Sequence, residues 1–184
     1  MCEANEKKNQ PLVATKLLDK RVILAFGNLD EMKAGEIIAA LLYMEMEDPE
    51  GEITLYVNSC GGNETEIFGI YDVMQKLSCP IRTVCVGKAH GLSALLVAGG
   101  GAGKRFAYAN AEMMLMQVGR DRTFGQASDI ELETNHLLDA KKRFSQVLAK
   151  HCKKDAAAVE ADMERKFWLY AEKALEYGLI DRVI

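Results

Sequence analysis

The chain has no excess of positive charge: 23 Lys and Arg stand against 27 Asp and Glu, a formal net charge of −4. Proteins that track a phosphate backbone ordinarily carry a basic face or stripe, so this balance argues against a nucleic-acid partner. Long apolar runs are also missing. The longest, residues 92–98 running on into glycines, falls far short of the roughly 20 residues a membrane-spanning helix needs, and no membrane partner is expected. Zinc-ligand spacing is absent among the five cysteines, Cys2, Cys60, Cys79, Cys85 and Cys152, and neither a metal nor another cofactor is expected. An odd set of cysteines in a chain of this size reads as reduced thiols in a reducing compartment. Residues 1–10 are polar, with Lys7, Lys8 and the later Lys16, and lack the apolar stretch of a secretory signal. Either no targeting segment exists or it has been removed.

What is present is core-forming material. With 184 residues, 49% of them hydrophobic, the chain can bury one substantial core, and no shift in composition marks an internal boundary. Residues 22–26 read as a buried strand, and Asp30 as the N-cap of a helix whose stripe is Ala34, Ile37, Ile38, Leu41 and Leu42. Residues 53–57 are β-rich. Ile67, Ile70, Tyr71, Met74 and Leu77 form the next helical stripe, before Pro80 breaks it. A third strand over 82–86, an apolar segment over 92–98 and short strands at 106–108 and 113–116 follow. This succession implies an α/β fold, a parallel sheet covered by helices.

In the second half, Ser128 with Glu131 three residues on reads as a capping box opening a long helix through Ile130, Leu137, Leu138, Phe144, Val147 and Leu148. At about 1.5 Å per residue, twenty-odd residues span over ~30 Å and can protrude from a small domain. Asp155 caps a further helix, residues 171–177 form a last one stopped by Gly178, and 179–184 return as a strand.

Two glycine-bearing turns carry the functional signal. Asn58-Ser59-Cys60-Gly61-Gly62 follows a strand directly, and Gly87-Lys88-Ala89-His90-Gly91-Leu92 links the next strand to a helix. Such turns aim backbone amides into a cleft, and together they can form an oxyanion hole or serve only as tight turns. The run Gly99-Gly100-Gly101-Ala102-Gly103-Lys104 fails as a phosphate loop: Ala98 takes the place of the first glycine, Arg105 replaces Ser/Thr, and a helix precedes it. Met44, Met46, Met113, Met114 and Met116 are read as adaptable packing.

From about Leu17 onward, several motifs stand in an order that resembles the proteolytic subunit of the Clp protease family. They are Glu47-Asp48-Pro49, Tyr56-Val57-Asn58-Ser59, Ile70-Tyr71-Asp72, Gly103-Lys104-Arg105-Phe106, Gly125-Gln126-Ala127-Ser128-Asp129-Ile130 and Glu176-Tyr177-Gly178-Leu179-Ile180-Asp181. The resemblance implies a fold of repeated ββα units, shared with the crotonases, with a protruding handle helix. It sets an N-terminal extension at 1–16, partly flexible, before a single domain over 17–184. The family's catalytic triad, however, is not there. Its nucleophilic serine falls on Gly91, its histidine on Met116 and its aspartate on Lys166. No hydroxyl remains to attack, a thioether cannot accept the proton, and the orienting anion has become a cation. Ser93, His90, His136 and His151 are expected to be structural or surface residues rather than substitutes.

The resemblance therefore implies a non-catalytic subunit like those of plastids and cyanobacteria, located in the chloroplast stroma or the cyanobacterial cytoplasm. Its partners would be related catalytic and non-catalytic subunits in heptameric rings and an ATP-driven Clp/Hsp100 chaperone. Gly62 and Leu92 take the oxyanion-hole positions; a crotonase-type enzyme acting on acyl thioesters through those amides is the alternative. The segment Gln117, Val118, Gly119, Arg120, Asp121, Arg122, Thr123, Phe124 and Gly125 is expected to form the edge strand that pairs with the opposite ring. There Arg120 and Arg122 of two identical chains would repel.

Overall fold

The computed structural model describes residues 13–119 and 124–184. Helix α1 (Val13–Leu18) crosses the expected boundary between extension and domain. Three βα units follow: β1 (Val22–Leu29) with α2 (Glu31–Glu47), β2 (Ile53–Gly62) with α3 (Glu64–Lys76), and β3 (Ile81–His90) with α4 (Ser93–Ala98). The chain continues through β4 (Arg105–Ala107), β5 (Glu112–Leu115), α5 (Ala127–Cys152), α6 (Ala156–Asp162), β6 (Phe167–Tyr170), α7 (Ala171–Tyr177) and β7 (Arg182–Val183).

The strands form one sheet in the order β1-β2-β3-β4-β7, all parallel, while β5 pairs with β3 in parallel and with β6 antiparallel. The long strands each behave as two. Residues 83–85 of β3 pair with β4, whereas residues 88–90 pair with β5. The β2–β3 register slips between Val57 and Ser59, and the β1–β2 register slips between Gly27 and Asn28. Such irregularities bend strands, so the repeated ββα pattern survives here as continuous strands bent at the middle.

Local chemistry accounts for the element ends. Asp30 accepts a hydrogen bond from the Lys33 N–H at 3.0 Å, and Asp155 accepts from the N–H groups of Ala157 and Ala158, both as N-caps. Gly178 closes α7 at φ +92, a left-handed conformation suited to glycine. The core lies on one face of β1 and β2, whose buried residues alternate with part-exposed ones. Ile53, Leu55 and Val57 of β2 are fully buried, and all six residues of α4 are buried, as a helix enclosed on every side must be.

Several expectations need correction. The capping box is absent: α5 begins at Ala127 behind an extended Gln126 that makes no side-chain cap bond, so Ser128 lies inside the first turn. The N–H groups of Asp129 and Ile130 already donate to the Gln126 carbonyl, which starts the ladder two residues before Ser128. Leu42, Ile130 and Leu138 are exposed; Met44 rather than Leu42 completes the buried stripe of α2. The terminal strand is short, reduced to β7, and β6 adds a strand that the helical reading of that region missed.

Helix α5 has 26 residues and is about 39 Å long. Its first half, residues 127–139, is largely exposed, whereas Ala140, Phe144, Leu148 and Cys152 recur at four-residue spacing on the buried face of the second half. The helix thus anchors at its C-terminal end and projects a handle at the other. Among the described residues no helix is long and apolar enough to cross a membrane.

Candidate functional site

The two glycine turns meet. Ser59 is fully buried; its Oγ accepts from the Gly61 N–H at 2.9 Å, which tightens the first turn. Ser93, also fully buried, points its hydroxyl at the carbonyls of Ser59 (3.0 Å) and His90 (2.8 Å), so it ties the first turn to the second. It is a packed structural serine, as its helical offset from Gly91 implies. Glycine is required at two of these positions by backbone approach. A Cβ on Gly62 would stand 2.1 Å from the Leu29 carbonyl oxygen, and Gly61 holds φ at +108.

The turns border a cleft of about 230 Å³ whose lining includes Cys60, Gly62, Glu64, Gly91, Leu92 and Met116. Gly91 donates its N–H to the Met114 carbonyl at 2.7 Å, which locks the second turn to β5. Its φ is +58, and a Cβ there would lie 3.6 Å from Met116 Cγ and 3.8 Å from Met116 Sδ. The nucleophile and base positions inferred from the resemblance are therefore neighbours in space, 25 residues apart in sequence. Lys166 is exposed and directly precedes β6, whose Phe167 pairs with Leu115 of β5; it is not among the described residues that line the cleft.

At the positions that the resemblance gives to nucleophile and base, the cleft carries a hydrogen atom and a thioether, where acyl transfer needs a hydroxyl and an imidazole. The oxyanion-hole positions Gly62 and Leu92 both line the cleft, facing these residues. Gln117 and Gly119 line its rim, and the Gln117 N–H donates to the Met163 carbonyl at 3.1 Å. Phe124 is strongly exposed and Gly125 stands at φ +156. Arg120, Asp121, Arg122 and Thr123 lie outside the described residues.

The histidines divide between expectation and correction. His90 is structural: its Nε2 lies 3.0 Å from Glu112 Oε1, and its ring meets Trp168 edge-on. Of the two expected to be surface or partner-facing, His136 is exposed, whereas His151 is part-buried. His151 Nε2 is 2.7 Å from the Tyr71 hydroxyl, and burial, then the charges of Arg105 and Lys150, holds its pKa below the ordinary value. His136 Nε2 is 2.8 Å from Oε1 of Glu64, whose side chain is only 5% exposed. Sequence reasoning missed Glu64 altogether. The signal was present, since Glu64 extends the stripe of Ile67, Phe68 and Tyr71 by one turn and thereby puts a carboxylate on the buried face of α3.

The remaining motifs carry no chemistry. Lys104 pairs with Glu52 at 2.5 Å, away from any phosphate-like cradle. Among the described residues no cluster of ligands suits a metal. Cys60, Cys79, Cys85 and Cys152 are free thiols, and burial pushes Cys85 up to about 12 and Cys152 up to about 11. Both are thus poor nucleophiles.

A family model described as Clp protease matches residues 5–184. The match spans nearly the whole chain, including every position of the cleft, and does not favour the acyl-thioester reading.

Proposed function

The chain belongs to the Clp protease family, and from that premise we propose that it is a catalytically inactive structural subunit of a hetero-oligomeric, ATP-dependent Clp protease core. Members of the family form rings with other subunits and dock with Clp ATPases. In this reading the chain completes the wall of a double-ring chamber beside serine-bearing subunits, in the plastid stroma or the cyanobacterial cytoplasm, and presents part of the docking edge for the ATP-driven chaperone.

One observation carries the inactivity: Gly91 stands directly against Met116 in the cleft, so the two groups whose proton transfer would start the reaction are both missing from one correctly formed corner. The surrounding scaffold, with both glycine turns and the sheet beneath them, keeps the family's architecture. The heteromeric assembly rests on the sequence of the ring-facing segment, where Arg120 and Arg122 disfavour pairing with an identical chain. An exposed apolar groove across β1, β2 and β3, lined by Leu24, Phe26, Tyr56, Val86 and Tyr108, suits an apolar docking segment of the chaperone.

Co-expression with a serine-bearing subunit of the same family, followed by native mass spectrometry, tests the proposal. Mixed rings are expected, with no stable tetradecamer from this chain alone. A purified tetradecamer of this chain that hydrolyses an unstructured peptide would overturn both the inactivity and the heteromeric role.

A further inference from the structure

The cleft carries a single charged side chain among the described residues that line it. Its lining combines one carboxylate, Glu64, with neutral side chains, and no Lys, Arg or His is among the described residues that line it. Glu64 is deeply buried; its carboxylate meets His136 from the handle helix α5, which is more than half exposed on the far side of the pair. That single contact is the one ion pair of the Glu64 carboxylate among the described residues. The walls around it mix apolar side chains, Leu92, Met116, Val118 and Leu137, with the polar Asn63 and Gln117. At about 230 Å³ the space is smaller than the roughly 300–1,000 Å³ that encloses a drug-sized molecule, and it matches a single long side chain.

A cleft that combines apolar wall residues with one carboxylate is complementary to a side chain made of an alkyl stem and a cationic tip. We propose that this cleft is a non-cleaving binding site for a basic side chain, Lys or Arg, of an unfolded polypeptide, with Glu64 as its specificity-determining residue. The stem lies along Leu92, Met116 and Leu137, and the cation replaces or joins His136 at the Glu64 carboxylate. A charged hydrogen bond made out of water is stronger than a neutral one, so selectivity for basic over apolar side chains follows from Glu64 alone. The inference rests on the inactive-subunit reading, because a bound chain is held here rather than cut.

Fluorescence polarisation of labelled unstructured peptides, identical except for a central Lys, Arg, norleucine or Glu, measures the preference on the full-length purified chain. Lys and Arg peptides should bind about tenfold more tightly than the norleucine peptide, and the Glu peptide should bind most weakly. Glu64→Gln should remove the tenfold preference. His136→Ala, which frees Glu64 of its competitor, should tighten the basic peptides about threefold. Equal affinity for Lys and norleucine peptides, an unaltered preference in Glu64→Gln, or weaker basic-peptide binding in His136→Ala would overturn the proposal. Mass analysis of the peptides after incubation keeps the two readings apart: cleavage would sink the inactivity, whereas intact peptides without a preference would sink only the basic-side-chain site.

Discussion

Gly91 and Met116 face one another at ordinary van der Waals range, with 3.6 Å between Met116 Cγ and the place a Cβ on Gly91 would occupy. The corner therefore has room for a side chain at the nucleophile position. At the positions that the resemblance assigns to nucleophile and base, it carries a glycine hydrogen and a thioether.

Serine-directed fluorophosphonates should consequently leave no adduct on the wild-type chain, and Gly91→Ser should gain no measurable peptidase activity. The variant should fold, because space is present, at a cost of about 1 kcal/mol for a non-glycine residue in the left-handed region. For a domain of this size that is roughly 2–4 °C in Tm. Labelling of wild type at Ser59 or Ser93, or turnover by the single variant, would show that another residue acts as base.

Restoring a triad requires all its members, because they act as a unit. Gly91→Ser combined with Met116→His and Lys166→Asp is the smallest set from which fluorophosphonate labelling and slow peptide cleavage are expected. Each double variant should stay at background. Activity in Gly91→Ser/Lys166→Asp without the histidine would refute the placement of the base at Met116.

The site was legible where chemistry depends on local sequence and obscure where it depends on packing. The glycine turns follow from short motifs in order, and the fold brings two of the positions singled out by the resemblance, Gly91 and Met116, together. The caps at Asp30 and Asp155 and the stop at Gly178 were equally readable, since each acts within a few residues of itself. The start of α5 was not, because a backbone carbonyl at Gln126 opens the helix before the Ser128 side chain has any role. Strand β6 escaped because its pairing with β5 is non-local. Glu64 and His136 stand 72 residues apart, and only the path of the handle helix over the cleft joins them.

His151 gives the fold a dependence on mild acid. Burial, with Arg105 and Lys150 adding like charge, holds its pKa below the ordinary 6.5. The unfolded chain then binds this proton more readily than the native one. Stability from this residue is complete above about pH 6.5 and is lost as pH falls from there towards the depressed native value. Urea unfolding at a series of pH values should show a decline between pH 7 and 5 that His151→Gln flattens. An identical slope in the variant would assign that decline to other groups.

The Arg105–Asp181 pair should show its pH dependence much lower. Arg105 Nε and Nη2 donate to Asp181 Oδ2 and Oδ1 at 3.0 and 2.6 Å, and the Arg105 backbone N–H also donates to Oδ2 at 3.0 Å. The same guanidinium donates to the Gly178 carbonyl at 2.8 Å, so the pair fastens β4 to the turn that ends α7. Burial raises the Asp181 pKa, but the bonds and charge of Arg105 outweigh it and hold the carboxyl below its ordinary 3.8. Asp181→Asn keeps the shape and removes the charge, which leaves Arg105, its side chain only 11% exposed, without an anion. The expected cost is about 2 kcal/mol, less than the 3–5 of a fully buried pair because Asp181 retains some solvent contact. A native carboxyl with a depressed pKa stabilises the fold at every pH above the ordinary carboxylate range, and its contribution fades only as pH falls below about 3.8 towards the native value. Denaturant unfolding of wild type and Asp181→Asn should therefore differ equally at pH 7 and pH 5, with the difference shrinking only as pH falls below about 3.8. Convergence already at pH 5 would mean that a titrating group other than Asp181, with His151 the nearest candidate, controls this corner of the fold.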